Sequence, residues 1–126
     1  MRTLLILPII AAAPIASAAV QDQARTVEVR LSNFDYSPRE IRLSAGEPVV
    51  LRLVNASGGG HDFSAPAFFA AARVDAAAAL VRGGKIEVPA RQSVSVRLVP
   101  TLGTYRLRCT HTLHSAFGMR GQIVVE

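Results

Sequence analysis

Short runs in which apolar and polar residues alternate dominate the chain from residue 26 onward. Between Thr26 and Leu31, Val27, Val29 and Leu31 fall on one side, against Glu28, Arg30 and Ser32 on the other. That two-residue period predicts a strand with one buried face. The pattern breaks over Asn33-Phe34-Asp35-Tyr36-Ser37-Pro38 and resumes from Glu40 to Leu43 with Ile41 and Leu43 inward. Ala45-Gly46-Glu47-Pro48 predicts a turn. From Val49 to Val54, Val49, Leu51 and Leu53 oppose Val50, Arg52 and Val54, and the glycine-rich stretch from Asn55 to Gly60 predicts a loop that delivers His61.

Between Pro66 and Leu80 alanine replaces the β-branched residues, with Phe68 and Phe69 close to an early proline. This favours one or two short helices, ended by Gly83-Gly84. Lys85 to Val88, Ser93 to Val99, Thr104 to Cys109 and Gln122 to Val125 return to strand character, separated by Pro89-Ala90 and Pro100-Thr101-Leu102-Gly103. About seven short strands at this spacing, with one helical insertion, predict an all-β sandwich. No internal repeat, interdomain linker or low-complexity tail interrupts them.

The N-terminus changes the picture first. Met1-Arg2, an apolar run from Thr3 to Ile15 and the small residues Ala16-Ser17-Ala18 have the form of a secretory signal cut after Ala18. The run contains Pro8 and Pro14 and is shorter than the ~20 residues that span a bilayer, which argues for a cleaved signal over an anchor. Residues 1–18 are therefore expected to be the signal peptide and 19–126 one domain, with no stable membrane association after cleavage. Roughly 100 residues support one core. The formal charge of +5 includes Arg2. The remaining basic residues are scattered with little aromatic interleaving, unlike a nucleic-acid surface. A mildly basic face can still steer an acidic partner protein.

Cysteine usage changes it again. Exported domains of this size often carry paired cysteines, yet Cys109 is the only one. A lone thiol in an oxidising compartment is exposed to oxidation unless buried or ligated. Its neighbours favour ligation: within eleven residues the chain places Cys109, His111, His114 and Met119. A thiolate with two imidazoles and a weak thioether suits copper in both oxidation states. This segment provides one or two imidazoles, and the one remaining histidine of the chain is His61.

Phe34-Asp-Tyr-Ser-Pro38-Arg-Glu-Ile41, Gly46, Val49, Asn55, His61, the run from Tyr105 to Met119 and Gly121 to Val125 together resemble the cupredoxins, the blue copper proteins of plastocyanin and azurin type, over nearly the whole mature chain. The resemblance implies a Greek-key sandwich binding one copper ion per chain, cycling between Cu(I) and Cu(II), with His61, Cys109, His114 and Met119 as ligands. His114 lies five residues after Cys109, as in azurin-like members, and Met119 five after His114, as in plastocyanin-like members. His111, two residues after the thiol, would have to fold back in a very tight turn, and is expected to act as an outer partner, a gate, an extra ligand or an ordinary loop histidine. Gly60 could bring its carbonyl towards the metal. Asp62 departs from the family pattern, which has asparagine there tying the two ligand loops. It is expected either to accept a hydrogen bond from Thr110, or its amide, and lower the metal's potential, or to face solvent.

The functional expectation is a periplasmic or otherwise exported one-electron carrier, docking weakly on redox partners through an apolar patch of Leu113, Ser115, Ala116 and Phe117 around the edge of His114. The alternative is a copper-handling protein that takes up and releases the ion. An enzyme is not expected, because the copper oxidases and nitrite reductases of this fold need further histidines and only His111 is left over.

Overall fold

The computed structural model describes residues 12–14, 24–75, 77–111 and 117–126. Alternating apolar residues build two five-stranded sheets from β1 (Arg25–Ser32), β2 (Asp35–Ser37), β3 (Glu40–Leu43), β4 (Val49–Asn55), β5 (His61–Ser64), β6 (Arg73–Val74), β7 (Lys85–Val88), β8 (Ser93–Val99), β9 (Gly103–Arg108) and β10 (Arg120–Val125). One sheet has the order β2-β1-β4-β8-β6 and the other β3-β10-β9-β5-β7. Parallel pairing of β1 with β4 and of β3 with β10 carries the chain repeatedly between the two sheets. Their inner faces meet in one core, with Val29, Leu31, Leu51, Leu53, Val96 and Leu98 on one side and Ile41, Phe63, Ile86, Leu107 and Ile123 on the other.

The sandwich matches the expected class, and its ten strands exceed the expected seven because several are too short to show a period. Asp35–Ser37 was expected to be a break, but it folds back on β1 with Leu31 opposite Tyr36. Phe34 turns that corner with φ +63° and rests against Phe117, their ring centroids 5.3 Å apart. The alanine-rich segment forms α1 (Pro66–Ala71), with Pro66 opening it, then β6 and a single 3₁₀ turn at Ala78–Leu80. Phe68 of α1 is fully buried and meets Tyr105 of β9 edge-on. Among the described residues no helix is long and apolar enough to cross a membrane.

Gly121 lies inside β10, which begins two residues before the strand expected from Gln122. A Cβ at this position would come within 2.6 Å of the Arg39 carbonyl oxygen. Glycine is what lets β10 approach β3 closely enough for the Gln122 amide to donate to that same carbonyl at 2.8 Å.

Candidate metal centre

Strand parity decides which side chains meet. In β5, β9 and β10 the core-facing positions are odd-numbered, as the burial of Phe63, Leu107 and Ile123 shows. His61, Cys109 and Met119 share that parity and are all essentially inaccessible to solvent. Cys109 follows the last residue of β9 and Met119 precedes the first of β10; the Cys109 amide donates to the Met119 carbonyl at 3.1 Å. Ser64 of β5 pairs with Arg108 of β9, so β5 brings His61 to the same end of the sheet. The Asp62 amide, bonded directly to the His61 carbonyl carbon, donates to Cys109 Sγ at 3.5 Å. Residues 48 positions apart in sequence thus converge on one thiol.

His61 was expected on a loop; it is the first residue of β5, where strand pairing with Val88 fixes its backbone. Its Nε2 lies 3.0 Å from Ser57 Oγ. The Ser57 hydroxyl also faces Asn55 Oδ1 at 2.7 Å and the Gly59 carbonyl at 3.0 Å, two groups that only accept. Its single proton therefore goes to one of them, and the oxygen accepts from His61 Nε2–H. That tautomer puts the lone pair a metal uses on Nδ1. Asn55 anchors the loop by donating through Nδ2 to the Gly59 and Val88 carbonyls at 2.8 and 3.0 Å. Sequence reasoning passed over Ser57 as a loop residue and quoted Asn55 only for the resemblance. Ser57 lies four residues and Asn55 six residues before His61.

The sulfur sits in a setting that suits a soft cation. Burial pushes the Cys109 thiol above its ordinary value of 9.0. Amide hydrogens of Asp62 and His111 aimed at the sulfur pull it back, and the carboxylates of Asp62 and Glu87 push it up further. The pocket thus disfavours a bare thiolate but offers two donors to one that is charge-compensated by a bound metal. Tyr36, whose hydroxyl donates to the Asp62 carbonyl at 2.6 Å, is also raised, by burial first and then by Cys109 and Asp62. Both raised groups favour the fold while protonated, so in metal-free protein their contribution is complete below the ordinary thiol value of 9.0 and lost as pH rises past it and then past 10.0 for the phenol. Urea midpoints measured across that range are expected to fall with rising pH, and Cys109→Ala to flatten the first part of the decline.

Even-numbered positions face outward, and there the two ligand-bearing segments are tied together. Asp62 is fully buried. Its Oδ1 accepts from the Thr110 amide at 2.8 Å, and its Oδ2 accepts a short bond from the Thr110 hydroxyl. Asp62 thus accepts from both the Thr110 amide and its hydroxyl and does not face solvent. The Lys85 ammonium stands 3.7 Å from Asp62 Oδ2 and 3.2 Å from Thr110 Oγ1, supplying the countercharge. Nothing in the alternation of β7 marked Lys85 for this role; it follows from β7 lying beside β5, with Ser64 opposite Lys85.

His111 is a half-buried residue paired with Glu87 at 2.9 Å. Its ring centroid is 6.5 Å from that of His61, and its Cε1 lies 3.4 Å from where a Cβ on Gly60 would be. Asp62, Glu87 and His111 bring donor atoms within 4.8 Å of one another, but Lys85 already places its ammonium 3.9 Å from Glu87 as well. A cation is therefore built into that cluster. His114, with Leu113, Ser115 and Ala116 of the expected patch, lies outside the described residues; Phe117 is 64% exposed.

A family model described as a cupredoxin-like domain matches residues 5–125. This chain belongs to the cupredoxin-like family. Among solved structures, this cupredoxin is similar to auracyanin B, with 24% identity and a TM-score of 0.59 over 82% of this chain and 89% of that one. It is similar to a reduced amicyanin variant, with 25% identity and a TM-score of 0.50 over 94% and 97%. It also matches auracyanin A, a blue copper protein from the green thermophilic photosynthetic bacterium Chloroflexus aurantiacus, with 23% identity and a TM-score of 0.55 over 82% and 100%. No curated protein matches the chain significantly.

Proposed function

We propose that this cupredoxin is an exported carrier of single electrons that holds one copper ion through His61 Nδ1, Cys109 Sγ, Met119 Sδ and His114. Residues 1–18 serve as the export signal and 19–126 as the mature domain. The observation that carries this reading is the convergence of His61, Cys109 and Met119 on the core-facing side of one sheet end, with two amides aimed at the sulfur. Copper bound there supplies a reversible one-electron couple, because thiolate and imidazole accept both oxidation states.

The protein's own residues keep the site ready. Ser57 holds the His61 ring in one tautomer, the Asp62 and His111 amides accept the thiolate's charge, and full burial keeps water from the sulfur. Asp62 and Thr110 clamp the segments that carry His61 and Cys109, so neither need move when an electron arrives or leaves. Partners dock weakly and transiently, as redox encounters do, over less than roughly 1,200 Å². Phe117 contributes exposed apolar surface to that contact. Catalysis is not part of this reading: His111, the one histidine left over, is held by Glu87.

Burial of His61, Cys109 and Met119, with the first two held by hydrogen bonds, favours the carrier over a copper-handling protein, which needs to release its ion. The test is voltammetry of the copper-loaded protein in the presence of a Cu(I) chelator. Many reversible cycles with copper retained are expected; rapid loss of Cu(I) to the chelator would establish the handling role instead.

A further inference from the structure

The outward face of β9 and β10 sets basic side chains opposite each other. Arg108 and Arg120 are directly opposite each other across the ladder, and Arg106 sits one outward position along β9, opposite Gln122. Like charges facing each other across a strand pair are destabilising. Two acids on neighbouring strands are already engaged. Glu40 is taken by Arg42 at 2.9 Å, and Glu87 by His111 and Lys85. Among the described residues Arg106 and Arg108 make no ion pair.

The same three side chains frame two neighbouring surface depressions. One, of about 510 Å³, is lined by Arg106, Leu107, Arg108, Arg120 and Gly121. The other, of about 360 Å³, is lined by Ser64, Pro66, Arg106 and Arg108. Together they form a basic trough across β10, β9 and β5. Ser64, a small buried residue, makes room in it. The trough adjoins the metal centre through the chain itself, since Arg108 precedes Cys109 and Arg120 follows Met119.

We propose that this trough is a docking surface for the carboxylate-rich face of a redox partner protein. Guanidinium groups match carboxylates with paired hydrogen bonds, and arginine is enriched where protein surfaces meet. A basic patch speeds encounter with an acidic partner at low salt. The other polyanions fit less well. The exposed large apolar residues among those described are Phe34, Leu80, Leu102 and Phe117; none lines the trough, so the described residues give it nothing to insert into a membrane. Among the described residues no aromatic side chain lines it either, so they offer no stacking platform for nucleic-acid bases. This inference rests on the carrier reading for the partner's redox character, whereas the surface itself can be tested without copper.

The experiment is an NMR titration of the ¹⁵N-labelled protein, Cu(I)-loaded and metal-free, with an oligoglutamate peptide at low ionic strength. Shifts centred on the Arg106, Arg108 and Arg120 side chains are expected in both forms and should vanish at high salt. Arg106→Glu with Arg108→Glu is expected to weaken binding roughly tenfold or more. Arg30→Glu with Arg52→Glu, the same change of charge on the outer face of the other sheet, should change it less than about twofold. Equal weakening by both pairs, or shifts centred elsewhere, would overturn the proposal. Binding to phosphatidylglycerol vesicles without binding to the peptide would overturn it too, assigning the trough to a membrane. Failure of the carrier reading would appear separately, as a copper-loaded protein with no reversible couple, and leaves the shift map to decide the docking face alone.

Discussion

Replacing Cys109 with serine is expected to abolish the intense visible absorption of the copper-loaded protein. That band requires a thiolate bonded to copper, and Cys109 is the only cysteine in the chain. A serine hydroxyl in the same buried position does not ionise in this pH range and presents a hard oxygen where the site is arranged around sulfur. The amides of Asp62 and His111 would still find an acceptor, so the metal-free variant should remain folded. Its loss of stability should be about 1–3 kcal/mol, the usual cost of a hydroxyl in a poorly matched apolar pocket. Retention of the band in Cys109→Ser would refute the assigned ligands, and collapse of the variant would be visible independently in its far-ultraviolet circular dichroism.

Asp62→Ala is expected to cost about 2–4 kcal/mol in urea unfolding, because two hydrogen bonds to a charged acceptor disappear together and the Thr110 amide loses its partner. The carboxylate is fully buried, yet both oxygens are satisfied and Lys85 stands beside it. Removing it therefore loosens the side-chain clamp between the His61 and Cys109 segments. Asp62→Asn should cost less than half as much, since an amide oxygen can still accept from the Thr110 backbone. It should also raise the reduction potential, because a negative charge near the thiolate favours the oxidised metal. If Asp62→Ala and Asp62→Asn unfold at the wild-type urea concentration, the clamp has no structural role.

The sandwich was legible because strands with one buried face announce themselves, and Lys85 to Val88 and Ser93 to Val99 form strands within the expected bounds. β2 and β6 were not, because two or three residues cannot display a period, and β5 was not, because all four of its residues are buried and show no alternation. His61 illustrates the consequence. A loop was the natural reading after three glycines, whereas β7, more than twenty residues downstream, is what extends the segment into a strand. Cys109, His61 and Met119 were legible as candidate donors from residue type alone, and parity then explains why they share a side. The outer clamp was half legible. Asp62 and Thr110 stood out by position, but Lys85 and Glu87 reach them only through sheet order, which alternation does not encode. The facing arginines 108 and 120 were likewise invisible until the register of β9 against β10 set them opposite each other.

The central claim is that donors from β5, from the end of β9 and from the start of β10 close on a single copper ion. X-ray absorption at the copper edge of the loaded protein tests it most directly, with His61→Ala as the comparison. The account predicts a nearest shell that contains sulfur together with imidazole nitrogen, and a measurable loss of the imidazole signal in the variant. A shell of oxygen and nitrogen without sulfur, or one unchanged by removing His61, would contradict it.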